Sequence, residues 1–333
     1  MDETLGVPAH PGGIVVDRPE LRVGVVQAVS RPTGLELELI ARQPLDRRSA
    51  TERQADIRAG RPGPAPAPRR LLPQFDEGMD LRVGWLDSTG RTRWTFGSRS
   101  MRSGDHFGGT TGPSLRTVLR FPPLYDHASV VLAWPEIGFP ETVLELDLPD
   151  RATVERDTVS VWDAPVDAAP VPADLRHIAD PAWLDEPEVE AGRIVAAPRV
   201  LSRGDGAVVV LSRLTAVGAA LSLQLRSMLD GPLAEAAGAA MADPARHRPG
   251  RTDDPEQLRA GGPGAAVAVV HGRDAVWARS QGGTGGAGDR TFRAATESTA
   301  AHPGGNVLDL LVAWPAAGLP DVKVRVPLGE QDV

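Results

Sequence analysis

Asp105-His106 sets a carboxylate beside an imidazole, the pairing used for general acid–base work. Adjacent side chains in an extended segment point to opposite faces, which argues against direct cooperation and favours a histidine in a surface loop. Asp105 and His106 are the candidate catalytic residues. His10, His127, His177, His247, His271 and His302 show neither i, i+4 nor H-x-H spacing, so no metal site is expected. The chain has no cysteine, which excludes disulfides, thiolate zinc sites and cysteine nucleophiles together. It also lacks a G-x-S-x-G elbow and a G-x-x-x-x-G-K-[ST] phosphate loop.

Gly283-Thr-Gly285-Gly-Ala-Gly288 has the spacing G-x-G-x-x-G. The dinucleotide fingerprint needs an apolar helix directly after the glycines, whereas Asp289-Arg-Thr-Phe-Arg follows here. A flexible glycine loop without a cofactor is the expectation. Residues 47–70 hold seven arginines, two acids and a Pro-Ala-Pro-Ala-Pro run. That composition buries little and carries no aromatics for base stacking, so a solvated, disordered insertion is expected rather than a nucleic-acid site.

The elements that would position these groups come twice. Val-Val-Leu-Ala-Trp134-Pro135-Glu-Ile-Gly138-Phe-Pro140 recurs as Leu-Leu-Val-Ala-Trp314-Pro315-Ala-Ala-Gly318-Leu-Pro320. Gly34 to Asp46 aligns without gaps onto Gly218 to Asp230, with Leu37 on Leu221, Leu39 on Leu223 and Arg42 on Arg226. Just upstream, Ser30-Arg31 faces Ser212-Arg213. Gly90-Arg91 before Trp94 matches Gly272-Arg273 before Trp277, and Gly108–Gly112 matches Gly282–Gly286. Ordered anchors of this kind indicate a tandem duplication.

Within each copy the period is two. Leu35, Leu37 and Leu39 alternate with Glu36 and Glu38, which predicts a strand with leucines in a core and glutamates in water. Thr142, Leu144 and Leu146 repeat the pattern after the Trp-Pro segment, as do Val322, Val324 and Val326. Trp-Pro-x-x-Gly-φ-Pro (φ apolar) therefore reads as a turn between two strands, with Trp134 and Trp314 structural. Strands are also expected at 22–31 and 115–121, with a hairpin at 80–97 turning at 88–90. Helix is scarce, with the best candidate at 232–242.

The fold class that follows is all-β: two β-sandwich-like units with long disordered or partly helical insertions. The expected division is a tail over 1–13, a unit over 14–162, a Pro/Ala/acidic linker over 163–192, and a unit over 193–330 with an insertion at 231–262. A length of 333 residues suits two cores. The net charge of −8 argues against a protein that coats nucleic acid. No apolar run reaches membrane-spanning length, and Met-Asp-Glu-Thr at the start is unlike a signal peptide. A cytoplasmic location is expected.

At the Ala-Trp-Pro-x-x-Gly-φ-Pro motif, the Ser-Arg…Gly-φ strand pair and Gly-Arg…Trp, the chain resembles a family of uncharacterised actinobacterial proteins. Those are β-rich units with a Trp-Pro-Ala-x-Gly-type hairpin, preceded by glycine-rich and proline-rich stretches. Phe121-Pro122-Pro123-Leu124 fits that pattern and Ala301-His302-Pro303-Gly304 departs from it. The resemblance implies no activity and transfers no catalytic residue. The expected function is a non-enzymatic binding or structural module, with a protein as the possible partner and no cofactor. The alternative is an enzyme or small-molecule binder using loops around 102–116 and 280–293, where Asp105, His106, Arg116, Asp289 and Arg290 lie.

Overall fold

A computed structural model describes residues 3–44, 48–60, 70–71, 81–95, 97–102, 113–179, 192–218, 220–241, 254–260, 264–278, 280–288 and 290–329. Strands dominate, as the alternating pattern requires. The chain divides into two units. The first holds Val7–Arg156. The second holds Met1–Gly6 and the chain from Asp157 on, apart from Glu190–Gly192.

In the first unit, the larger sheet has the order Val7–Pro8, Arg22–Arg31, Gly34–Arg42, Ser114–Phe121, Ser98–Arg102, with Gly13–Asp17 also on Arg22–Arg31. The smaller sheet runs Phe139–Asp147, His127–Trp134, Arg82–Leu86, Thr92–Thr95. All these pairings are antiparallel. Val25, Leu37, Leu39 and Leu119 of the larger sheet share one core with Val83, Val130, Leu132 and Leu146 of the smaller. Two sheets that bury facing apolar sides form a sandwich.

The second unit repeats the order. Arg193–Ala196, Ala207–Val217, Ala220–Asp230, Thr291–Ala301 and Ser280–Ala287 make the larger sheet, with Arg199–Gly204 on Ala207–Val217. Leu319–Pro327, Val307–Trp314, Ala266–His271 and Asp274–Trp277 make the smaller. Its core joins Leu211, Leu223, Leu225 and Phe292 to Val267, Leu310, Val312 and Trp314. The Trp-Pro segments are matching corners: a 3-10 turn at Pro135–Ile137 or Pro315–Ala317, then Gly138 or Gly318 at φ of 79° or 68°. Left-handed backbone suits glycine, so the motif turns the chain with little strain. Trp134 and Trp314 are both buried, which fits a structural role.

Several sequence expectations need correction. The copies match in a different register. Arg31 opposite Gly34 closes the first hairpin and Val217 opposite Ala220 closes the second. A bulge falls at Val26 in one and at Ser212 in the other. Gly34 therefore corresponds to Ala220, Leu37 to Leu223, Val26 to Ser212 and Gln27 to Arg213. The alignments of Ser30 with Ser212, Arg31 with Arg213 and Arg42 with Arg226 do not hold. An even slip keeps every leucine on its own face, so alternation alone cannot detect it.

Gly282–Gly286 lie in the edge strand Ser280–Ala287, not in a loop, and take the place of Ser98–Arg102. Glycine's lack of a side chain does not prevent its backbone from joining a ladder. Gly108–Gly112 are outside the described residues. Within the expected disordered insertion, Ala50–Arg58 is a helix, because Ser49 and Glu52 form a reciprocal capping box. Thr51, Glu52, Gln54, Ala55, Ile57 and Arg58 on it are exposed, and 61–69 are outside the described residues. The helix expected at 232–242 is present as Pro232–Met241.

Residues 163–179 of the supposed linker belong to the second unit. Ala168–Pro170 adds an antiparallel strand to Leu319–Pro327, and Arg176–Ala179 adds a parallel one to Asp274–Trp277. The supposed tail is also in use. Thr4–Leu5 pairs with Val159–Ser160, and Val7–Pro8 with Val29 and Ser30. Short Pro- and Ala-rich segments carry too little periodicity to show such pairings.

Candidate functional site

The densest polar chemistry lies on the side of each larger sheet that faces away from its core. In the first unit Gln27, Glu36 and Glu38 point there, opposite Leu35, Leu37 and Leu39. The expectation of solvated glutamates fails, since Glu36 is 6% exposed and Glu38 4%. Alternation shows which side a residue takes but not what covers that side. Buried carboxylates need counter-charges, and arginines supply them. Arg116 Nε donates to Glu38 Oε1 from the neighbouring strand. Arg31 and Arg120 each lie 3.8 Å from Glu36 Oε2.

The second unit places different groups on the matching surface. Arg213, buried in place of Gln27, reaches Glu297 Oε1 at 3.4 Å. Gln224, in place of Glu38, donates from Nε2 to the same oxygen at 3.1 Å. Ser212 Oγ lies 2.8 Å from Gln224 Oε1 and 3.1 Å from the Gln224 carbonyl oxygen. These contacts are an ion pair and hydrogen bonds within a sheet. Ser212 faces an amide oxygen rather than a general base, so this arrangement does not activate it as a nucleophile.

Asp105, His106 and Asp289 are outside the described residues. Arg116 is committed to Glu38, and Arg290 is exposed, with its carbonyl accepting from the Gly231 amide. Two histidines among the described residues serve as local acceptors: His10 Nδ1 for the Gly12 amide and His302 Nδ1 for the Gly304 amide, both at 3.0 Å. Burial pushes the His10 pKa down. Among the described residues no group of three or more His, Asp or Glu could hold a metal ion.

Other polar groups secure turns and edges. Asp87, at the hairpin turn, accepts from the Thr89 hydroxyl, the Arg91 and Thr89 amides and Arg93 Nε. The Thr89 hydroxyl contributes most to holding that carboxyl below its ordinary range. Among the described residues no helix is long and apolar enough to cross a membrane.

No family model matches the chain, and no curated protein matches it. Solved structures give distant similarities. The N-terminal periplasmic domain of ScsB from Proteus mirabilis is 12% identical, with 97% of this chain and 100% of that one covered and a TM-score of 0.22. A conserved domain protein from Bacillus anthracis is 9% identical over 93% of this chain and 77% of that one, at a TM-score of 0.20. Bovine butyrophilin is 10% identical over 96% of this chain and 100% of that one, at 0.19. Scores this low transfer neither fold nor function.

Proposed function

We propose that this chain is a non-enzymatic binding or structural module, built from two copies of one β unit that arose by tandem duplication, with a protein as its partner. One observation carries the reading. The two units share strand order and core, while matching polar positions differ: Gln27 against Arg213, Glu38 against Gln224. The repeated part is scaffold. Each set of polar groups is tied within its own sheet, which suits a rigid frame that presents loops and edges. A chain without cysteine is compatible with a reducing cytoplasm, and that location belongs to the same proposal.

The test uses the purified full chain. Cross-linking in the native cell, followed by reconstitution with the recovered protein, should give a saturable complex of defined stoichiometry. In parallel, incubation with a pooled metabolite extract should leave all masses unchanged. Heat-sensitive consumption of any metabolite, with no reconstitutable complex, overturns the proposal.

A further inference from the structure

Four buried polar atoms form two matching pairs. Thr117 lies opposite Leu39 and Thr296 opposite Leu225, and those two leucines correspond through the hairpin register. Directly opposed residues share a face, so both threonines stand on the core side of their larger sheets. Trp134 lies opposite Phe139 and Trp314 opposite Leu319, at the two Trp-Pro corners of the smaller sheets. The Oγ1 of each threonine and the Nε1 of each tryptophan are buried, and none of the four has a hydrogen-bond partner among the described residues. Buried polar atoms are nearly always paired, because removing them from water without a substitute is costly.

The match is selective. Ser30 Oγ and Thr215 Oγ1 are also buried without a partner, but Ala216 and Val29 take their places in the other copy. One unpaired atom in one copy is a local accident of packing. The same two in both copies belong to the unit itself.

The second unit shows more of the surroundings. Gly264-Ala265 leads into the strand Ala266–His271, and the Ala265 amide donates to Ser227 Oγ at 2.8 Å. A Cβ at Gly264 would lie 3.2 Å from Ser227 Oγ and 3.4 Å from Thr296 Oγ1, so the two hydroxyls converge beside this glycine. Ala266 is opposite Ala313, which brings Gly264-Ala265 and Trp314 to the same end of the smaller sheet. In the first unit Ala41 stands for Ser227 and Leu115 for Ala294, opposite each other in both copies. That copy therefore keeps the threonine and the indole but not the serine.

We propose that each unit binds ordered internal water, held by the indole Nε1–H and the threonine hydroxyl, with Ser227 as a further partner in the second unit. The class of ligand follows from these groups. An indole nitrogen only donates, whereas a hydroxyl both donates and accepts, so the guest must do both as well. None of the groups is charged, which suits a neutral guest. They lie in leucine-rich cores closed to bulk solvent, and water is the small neutral molecule that such groups take up, with about three hydrogen bonds each. The threonines belong to the larger sheets and the tryptophans to the smaller, so this water links the two layers of each sandwich. The inference is independent of the proposed binding role.

A crystal structure of the full chain, at a resolution that places water, tests it. Each indole nitrogen and each threonine hydroxyl should have a water at roughly 2.7–3.2 Å. Thr117→Val and Thr296→Val preserve shape while removing the hydroxyl. Each should lower the ratio of folded to unfolded chain in urea about fivefold, the loss of roughly one net hydrogen bond. An unpaired hydroxyl predicts the opposite sign, since valine then removes a buried polar group that had no partner. The stability measurement thus decides even if the chain does not crystallise. Apolar atoms packed against either indole nitrogen, or a ratio unchanged or raised in either valine variant, overturns the proposal.

Discussion

Replacing Glu3 and Leu5 together by alanine should destabilise the second unit, although both residues precede the first unit in the chain. Thr4–Leu5 pairs with Val159–Ser160, and the Glu3 carbonyl accepts from the Val161 amide at 2.8 Å. Leu5 packs, partly buried, on the cluster of Val161, Ala164, Val200, Val208, Val210 and Met228. Truncating it should cost about 1–2 kcal/mol, the lower range for a leucine that is not fully enclosed. The Glu3 carboxylate accepts from Trp162 Nε1 at 3.1 Å and pairs with Arg293. Losing the acceptor costs about 1 kcal/mol, and the ion pair, half open to solvent, adds about 0.5 kcal/mol. The total is about 2.5–3.5 kcal/mol, or roughly 5–14 °C in Tm at 2–4 °C per kcal/mol.

Urea denaturation monitored by hydrogen exchange separates the units. Protection should fall at Val159–Ser160 and Val208–Val210 while Leu37–Leu39 keeps its own. The Arg293 hydrogen bond dominates in holding the Glu3 carboxyl below its ordinary value. A depressed carboxylate stabilises above its unfolded pKa and loses that contribution as pH falls through the folded one. The Glu3 share of the deficit should therefore shrink in acid. A loss under about 0.5 kcal/mol, or equal loss of protection at Leu37–Leu39, refutes the assignment of this strand to the second unit.

Glu38→Ala removes the buried carboxylate that accepts from Arg116 Nε and should cost about 3–5 kcal/mol in urea denaturation, whereas Glu38→Gln, which installs the residue type of Gln224, should cost less. Gly34 has φ of 146°, and a Cβ there would sit 2.3 Å from the Phe121 carbonyl oxygen. Gly34→Ala should thus cost about 3 kcal/mol or more by thermal melting, while Gly318→Ala, with no atom within 4 Å of the new carbon, should cost only about 1–2 kcal/mol. Burial raises the Asp309 pKa, but Lys323 and Arg325 outweigh it and the net shift is downward. Wild type should exceed Asp309→Asn in stability near neutrality, and the gap should close as pH drops below the ordinary carboxylate value and through the folded one.

Period-two alternation at Leu35–Leu39 and Val322–Val326 made the strands legible, because a strand's side chains must alternate between faces. The Trp-Pro-x-x-Gly corners were legible through proline and glycine, whose backbone limits are local. The Ser49…Glu52 capping box was also present to be read, but the arginine-rich composition around it pointed to disorder. The glycine-rich strand at 280–287 was hidden for the opposite reason. Its residues have no pattern of side chains to alternate, and only the partner Thr291–Ala301 makes it a strand.

By itself, the chain determined that it would form β units with leucine-rich cores, and where the Trp-Pro corners would turn. These depend on residues near one another in sequence. Tertiary structure decided the register between the copies, the burial of Glu36 and Glu38, and the use of residues 4–5 and 168–179 as strands of the second unit. Each depends on long-range partners. An even slip leaves alternation intact, a glutamate's burial depends on the arginine opposite, and a two-residue strand exists only where an open edge receives it.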